Sequence, residues 1–219
     1  MAPIVGVVVF PGSNCEFDVV ESVERLGATG RLLWHGDDSV GDVDAVVVPG
    51  GFAHGDYLRP GAIARFSPMM QAITAFANDG GPVVGICNGF QVLTEAGLLP
   101  GALQKNAGLK FVCKTVELRV ETTNSALTNE ASAGQGLRIP INHFEGNYTC
   151  DDETLGRLRE EDRVVLRYVD NPNGSVDDIA GIANEGGNVV RLMPHPERAV
   201  HALSGSTDGV PLLRSLLAA

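Results

Sequence analysis

The stretch 83–91 constrains this chain most, because it reads as a buried strand that turns at once into a helix. Two valines open it, and apolar residues at helical spacing close it. At the turn, Cys87 lies between Gly85 and Gly89, which is the spacing of the G-x-S-x-G elbow with sulfur in place of oxygen. The glycines leave room for a tight turn. The pattern therefore predicts an exposed, reactive cysteine, and the N–H groups that begin the helix would favour its thiolate.

Composition narrows the class of protein. The chain has 219 residues, 44% of them hydrophobic and 20% charged, which suits one sizeable core, so we expect a single domain over residues 1–219. Its formal net charge of −11 argues against binding to nucleic acid or to an anionic membrane. No apolar run is long enough to span a membrane, and the first residues lack the features of a signal peptide. We therefore expect a cytoplasmic protein.

The cysteines give no sign of a metal site or of a disulfide framework. None of the four is spaced as C-x-x-C, and disulfides are unusual in a reducing compartment. Apart from Cys87, we interpret Cys15, Cys113 and Cys150 as small buried or half-buried apolar residues. We expect neither a metal nor a cofactor in this chain.

The order of predicted elements favours an α/β fold. A strand, a helix and two further strands open a doubly wound, mostly parallel sheet with helices on both faces. Extra antiparallel strands are predicted in the C-terminal half, including a β-hairpin. A stripe formed by Ile63, Phe66, Met70, Ile73 and Phe76 predicts a helix that packs on the core, and the polar stretch 121–136 predicts a surface loop. The other predicted strands and helices are strands 4–10, 31–34, 45–48, 112–120, 137–141, 164–168, 179–184 and 189–193, and helices 16–26, 152–161 and 210–217.

A glycine pair follows the predicted strand 45–48, in Pro49-Gly50-Gly51-Phe52. Glycines at the carboxyl end of a strand can present backbone N–H groups to a ligand, although a merely flexible loop fits the same residues. Thiolate attack on a carbonyl needs donors for the oxyanion. We expect these to be the N–H of Asn88 and one N–H of the loop, with Gly51 or Phe52 favoured over Gly50.

One of five histidines stands out. His195 lies two residues before Glu197, and the prolines before and between them hold the chain extended, so both side chains point the same way. The carboxylate could then orient the imidazole towards the sulfur, which predicts a triad of Cys87, His195 and Glu197. Taken alone, the same residues could also form a rigid, exposed turn. Of the other histidines, His54 and His143 are expected to face the ligand side, whereas His35 and His201 are expected to be solvated or structural.

These motifs together resemble the class I (triad) glutamine amidotransferases. The resemblance covers essentially the whole chain and rests first on Pro49-Gly50-Gly51-Phe52, Gly85-Ile86-Cys87-Asn88-Gly89-Phe90-Gln91 and Pro194-His195-Pro196-Glu197. Further stretches support a narrower match within the family, to glutaminase subunits of purine synthesis. These stretches are Phe10-Pro11-Gly12-Ser13-Asn14-Cys15, Gly55-Asp56-Tyr57-Leu58-Arg59, Gly61-Ala62-Ile63-Ala64-Arg65-Phe66-Ser67-Pro68 and Glu95-Ala96-Gly97-Leu98-Leu99-Pro100-Gly101.

The resemblance implies a flavodoxin-like fold and hydrolysis of glutamine to glutamate and ammonia. Cys87 would form the γ-glutamyl thioester, His195 would act as acid and base, Glu197 would orient it, and Gln91 would contact the substrate glutamine. The ammonia would pass to a separate large synthetase subunit, which uses ATP and Mg²⁺ to convert formylglycinamide ribonucleotide into its amidine. A very small third subunit is also implied. The chain departs from the family at Phe144, where a small residue is usual.

Other classes of protein remain as alternatives. An α/β-hydrolase would have its acid before the histidine, so the order of His195 and Glu197 argues against it. An elbow-cysteine stress protein or chaperone would need Cys87 alone, and a purely partner-binding subunit would need none of the three. A glutaminase that serves a different synthase would share every motif of the triad.

Overall fold

The computed structural model describes residues 2–219, and its centre is a nine-stranded sheet in the order β2-β1-β3-β4-β11-β10-β9-β6-β7. Five neighbouring strands run parallel, as the near-continuous Val and Ile runs of the sequence predict. They are β1 (Ile4–Val9), β2 (Thr29–Trp34), β3 (Ala45–Val48), β4 (Val83–Ile86) and β11 (Val189–Leu192).

The other strands extend the sheet in antiparallel pairs. The predicted hairpin is confirmed, because β10 and β11 pair antiparallel in register Ile182↔Arg191. A separate two-stranded sheet, which the sequence did not predict, joins β5 to β8. The strands are β5 (Ala102–Gln104), β6 (Val112–Val120), β7 (Gly136–His143), β8 (Asn147–Thr149), β9 (Val164–Tyr168) and β10 (Ile179–Ala183).

Helices cover the sheet. Every residue of β3, β4, β10 and β11 is buried, which requires that both faces of the central sheet are packed. The predicted α/β fold with a doubly wound parallel half and antiparallel additions is thereby confirmed. The helices are α1 (Glu16–Arg25), α2 (Pro68–Asn78), α3 (Asn88–Glu95), α4 (Asp152–Glu160) and α5 (Val210–Leu217).

The order of the parallel strands places the site. The strand order reverses at β1, because β2 lies on one side of it and β3 on the other. In open α/β sheets, ligands bind at such a reversal, beside the carboxyl ends of the strands. The segments that follow β1, β3, β4 and β11 leave the sheet at this same edge. They carry residues 10–15, 49–58, 87 and 193–198.

Three sequence predictions need correction. Cys113, expected to be buried or half-buried, is exposed, because it lies on the outward face of β6. Helix α2 begins at Pro68, so the predicted stripe loses its first members, and Phe66 is 68% exposed. Proline forces Ser67 into an extended conformation, where its hydroxyl accepts a hydrogen bond from Met70 N and caps the helix. The stretch 121–136 has no strand or helix up to residue 135, as predicted, but it is not wholly a surface loop, because Leu127 and Thr128 are fully buried.

Within residues 2–219, no helix combines the length and the apolar character that a membrane span requires.

Candidate active site

Cys87 occupies the sharp turn between β4 and α3 that the sequence predicts. It is not exposed as predicted, however, because it is buried on the wall of a pocket with only 7% of its surface accessible. Its backbone has φ 51° and ψ −103°, a strained conformation for a non-glycine residue, as expected at a nucleophile elbow. The two glycines allow close packing around this turn. A Cβ on Gly89 would lie 1.9 Å from Val48 O, and one on Gly85 would lie 2.7 Å from Gly89 O. Both positions therefore require glycine for the helix to approach the sheet.

His195 and Glu197 form a buried pair in the segment after β11. His195 Nδ1 and Glu197 Oε1 are 2.6 Å apart, and both side chains are almost completely buried. His195 N also donates to Pro140 O, which fixes the backbone of the segment. The predicted carboxylate–imidazole contact is thus present in the structure.

The charges around His195 favour its protonated form. Burial by itself lowers the pKa of His195, but the negative charges of Glu197 and Cys87 outweigh burial and hold the pKa well above 6.5. In this structure His195 Nε2 has no hydrogen-bond partner among the described residues, and Cys87 Sγ contacts Asn142 O at 3.6 Å. Nucleophile–base contacts often tighten only when substrate binds. The free Nε2 is the atom that can exchange a proton with the reacting groups.

The loop after β3 lies beside the nucleophile, and its N–H groups are not equivalent. Phe52 N donates to Gly12 O at 2.9 Å, so in this conformation it cannot serve an oxyanion. Gly51 N donates to no backbone carbonyl within residues 2–219, and Gly51 has φ 145°, which only glycine adopts readily. Of the two favoured donors, the geometry therefore supports Gly51, together with Asn88 N at the start of α3.

Gly50 allows three side chains to approach one another closely. A Cβ at Gly50 would lie 2.8 Å from His195 Cε1, 3.0 Å from Cys15 Sγ and 3.5 Å from Cys87 Cβ. The absent side chain is what lets these three groups surround one point.

The side chains of Asn88 and Gln91 connect the nucleophile helix to two loops. Asn88 Oδ1 accepts from Ala53 N, and Asn88 Nδ2 donates to Asp56 Oδ1 and to Gln91 Oε1. Gln91 Nε2 donates to Glu145 O at 2.7 Å. The amide of Gln91 is therefore held at both ends, with one N–H and one lone pair left over.

A pocket of about 290 Å³ joins these groups at the carboxyl edge of the sheet. Of the predicted site residues, Gly51, Phe52, Cys87, Gln91 and His195 line it directly. Glu197 lies behind His195 at hydrogen-bond distance. The remaining lining residues are Asn14, Cys15, Asp56, Leu58, Arg59, Pro60, Phe111, Asn142, His143, Phe144, Glu145 and Arg198.

Cys15 is a site residue that sequence reasoning missed. It is buried, as predicted, but it lines the pocket and its Sγ accepts a hydrogen bond from Arg198 Nη2 at 3.0 Å. Arg198 is in turn held by Asp18. Cys15 follows β1 and therefore lies at the edge where the parallel strands end, and this position could have revealed it as a site residue.

Asp56 is a second missed residue. Burial, assisted by the like charge of Glu145, raises the pKa of Asp56 to about 6, against the opposing hydrogen bond from Asn88. An acidic group that titrates near neutrality is thereby placed on the wall of the pocket. Asp56 lies in a stretch that supports the family resemblance, but no local pattern assigns it a role in the site.

The predicted locations of the other histidines are only partly confirmed. His143 lines the pocket, whereas His54 lies outside its lining and packs edge-on against His35 at 5.2 Å. Burial and the nearby His35 lower the pKa of His54. His201 Nδ1 accepts from Leu203 N in a short turn, which is the structural role expected of it.

Three ligand-type groups come close enough to suggest a metal. Ligand atoms of Cys15, His195 and Glu197 all lie within 4.8 Å of one another. However, His195 and Glu197 are hydrogen-bonded to each other, and the positively charged guanidinium of Arg198 donates a hydrogen bond to Cys15 Sγ. These contacts fit a protein-only catalytic site better than a cation site.

The family of the chain follows from its similarity to known proteins. The sequence matches the CobB/CobQ-like glutamine amidotransferase domain family over residues 2–209. The chain belongs to this family. As a glutamine amidotransferase it is an enzyme.

Full-length relatives are similarly informative. The chain is 59% identical to the phosphoribosylformylglycinamidine synthase subunit PurQ of Rubrobacter xylanophilus, with 98% of this chain and 97% of that protein covered. It is 57% identical to the subunit of the same name from Cereibacter sphaeroides, with 96% of each covered. The corresponding subunit of Koribacter versatilis is 53% identical, with 98% of this chain and 97% of that protein covered.

Solved structures agree. A chain of the structure described as PurLQS from Thermotoga maritima superposes with a TM-score of 0.92 at 45% identity, covering 100% of this chain and 99% of that chain. A putative GMP synthase subunit from Thermoplasma acidophilum gives a TM-score of 0.68 at 15% identity, covering 100% of this chain and 94% of that one. The second similarity concerns the fold alone.

Proposed function

We propose that this chain is the glutaminase subunit of a phosphoribosylformylglycinamidine synthase. It hydrolyses glutamine to glutamate and ammonia, and the ammonia converts formylglycinamide ribonucleotide into its amidine in purine synthesis. The observation that carries the proposal is the 59% identity to a PurQ subunit over almost the whole of both chains. The triad geometry supplies a chemical basis for the hydrolysis.

Catalysis begins with attack of the Cys87 thiolate, paired with protonated His195, on the side-chain carbonyl of glutamine. The S–C bond forms while the oxyanion is held by Gly51 N and Asn88 N. His195, protonated because of its raised pKa, gives a proton from Nε2 to the leaving nitrogen, so the C–N bond breaks and ammonia departs. His195 then takes a proton from water, whose oxygen attacks the thioester; the C–S bond breaks, glutamate is released, and Cys87 leaves as the thiolate beside protonated His195, which restores the starting state.

Glu197 acts through the histidine. It holds Nδ1 at 2.6 Å, which leaves Nε2 as the atom that faces the substrate, and its charge stabilises the imidazolium. Glu197 does not itself exchange a proton with the substrate.

The partners are part of the proposal. The relative described as PurLQS supports assembly with a large synthetase subunit, and a very small third subunit is proposed with it. ATP and Mg²⁺ would bind the synthetase, while this chain would need no cofactor of its own. All steps would take place in the cytoplasm.

The test uses the chain together with its synthetase partners. With glutamine, ATP and formylglycinamide ribonucleotide, the complex is expected to form the amidine, and Cys87→Ala should abolish this reaction. The same variant should still support amidine formation from added ammonium salts, because the synthetase is unchanged. Glutamine-dependent synthesis by Cys87→Ala, or a wild-type complex that uses ammonia but never glutamine, would contradict the proposal.

A further inference from the structure

The segment 142–146 lies against the nucleophile and is held by its backbone. Asn142 O contacts Cys87 Sγ, and Glu145 O accepts a hydrogen bond from Gln91 Nε2. Gly146 O accepts from Asn173 Nδ2 at 2.8 Å. The proposed mechanism uses none of the side chains in this rigid segment.

Within segment 142–146, His143 is the buried titratable side chain. His143 is 4% exposed, it lines the catalytic pocket, and its ring packs on Gly146, where a Cβ would lie 2.3 Å from the ring. Burial, together with the like charge of His195, lowers the pKa of His143 to about 4. The ring is therefore neutral at pH 7, and the charge of His195 contributes to this.

The tautomer of His143 follows from the hydrogen bonds of Asn106. Asn106 Nδ2 donates to two carbonyls, Lys110 O and His143 O, so Asn106 Oδ1 is the acceptor and also receives Gly146 N. His143 Nδ1, 3.1 Å from that oxygen, must then carry the proton. Nε2 is left with a lone pair.

That lone pair has no partner among residues 2–219, although the atom is buried. A buried acceptor without a donor is costly, and in a substrate pocket it indicates that a donor arrives with the ligand. The substrate of the proposed function brings such a donor, because the side-chain NH₂ of glutamine is the group that distinguishes it from glutamate.

We propose that His143 Nε2 accepts a hydrogen bond from the NH₂ group of the glutamine side chain and then from the ammonia released from it. This inference rests on the proposed glutaminase activity and adds a second substrate-contacting histidine to it. A carboxylate offers no N–H to this acceptor, so the contact favours the amide over the product acid.

The low basicity of the His143 ring keeps it from protonating the ammonia that is released. When the C–N bond breaks, the leaving nitrogen takes one proton from His195 Nε2 and becomes NH₃. A protonated histidine at position 143 would give ammonia a further proton and produce ammonium, which is not nucleophilic. A neutral ring can bind NH₃ through its lone pair and has no such proton to give.

The experiment compares two leaving groups on the same acyl chain. Glutamine and the γ-methyl ester of glutamate both form the γ-glutamyl thioester on Cys87, but only glutamine presents an N–H to His143. In the complex with the synthetase, His143→Leu removes the acceptor at similar volume. We expect kcat/KM to fall about fivefold to tenfold with glutamine, the effect of one lost hydrogen bond, and by less than about twofold with the ester.

A second variant tests the same lone pair. His143→Gln carries an amide oxygen that can accept, and its activity with glutamine should lie between those of wild type and His143→Leu. Equal losses on glutamine and ester would mean that His143 only supports the fold, and unchanged activity on both would mean that it contacts neither; each result overturns the inference. A wild-type complex without glutaminase activity would instead overturn the proposed function.

Discussion

Two sulfur atoms share the catalytic pocket, and their surroundings differ. Cys87 lies at the strained turn before α3, with backbone donors beside it, whereas Cys15 is held by Arg198 and Asn14. Only the first has the geometry in which an attacked carbonyl could place its oxygen against two N–H groups. At the scale of single residues, the donors around a sulfur determine its role.

Glu197 offers a test of residue-scale electrostatics. Glu197→Gln retains the size of the side chain but removes the largest of the contributions that raise the pKa of His195, so that pKa should fall. We expect the NMR titration of His195 to move to lower pH and glutaminase activity to fall by about 10²- to 10⁴-fold. The control is Cys87→Ala, which should lose more. An unchanged His195 titration would contradict the assigned role of Glu197.

His143 makes folding stability depend on pH. Its pKa is about 4 in the folded chain and near 6.5 when unfolded, so between these values the unfolded state binds more protons and stability falls as pH falls. Asp56, with its raised pKa, acts in the opposite direction over much of this range. Comparison with a variant therefore isolates the contribution of His143.

In His143→Leu the protonation contribution of this histidine disappears. On going from about pH 7.5 to about pH 5, the free energy of unfolding should fall by about 2 kcal/mol less in the variant than in the wild type. Urea unfolding at both pH values measures this difference. Parallel pH dependences in the two proteins would show that His143 titrates normally in the folded chain.

At the scale of elements, the contact of α3 with β3 decides whether the elbow can form. Gly89→Ala would place a methyl group 1.9 Å from Val48 O, and backbone cannot move aside cheaply. We expect a loss of about 1–3 kcal/mol in the free energy of unfolding, with a fall in activity because the oxyanion loop follows Val48.

The matched control is Gly156→Ala in α4. A Cβ there meets nothing within 4 Å, so alanine should stabilise the helix by about 0.5–1 kcal/mol and leave activity unchanged. Thermal and urea unfolding of the two variants should move in opposite directions. Equal effects would mean that the helix–strand distance at Gly89 is not limiting.

Elements differ in how far the sequence predicts them. Strands β1, β3 and β4 and helices α1 and α3 follow from apolar runs and spacing, because both features report burial directly. The start of α2 depends on Pro68, which overrides an apolar stripe that continues upstream of it. Strands β5 and β8 have three residues each, too short for a periodic signal.

The same division applies to the site. Cys87, His195 and Glu197 could be predicted, because an elbow and a Pro-flanked pair act through local geometry. Asp56 and Arg198 join the pocket only through the packing of separate strand ends, which no local pattern encodes, whereas the position of Cys15 directly after β1 was a usable signal. The tautomer of His143 depends on Asn106, 37 residues away in sequence.

At the scale of the whole molecule, one edge of the sheet collects the entire site. Loops after β1, β3, β4 and β11 meet there because parallel strands end together, while the antiparallel half supplies segment 142–146 as the opposite wall. Both halves of the fold are therefore needed for glutamine chemistry.

The most direct test is to identify which sulfur carries the acyl group. The complex with its synthetase is quenched in acid during glutamine turnover, and the peptides are examined by mass spectrometry for a γ-glutamyl adduct. We predict the adduct on Cys87 and none on Cys15. An adduct on Cys15, or continued glutamine turnover by Cys87→Ala, would contradict the account.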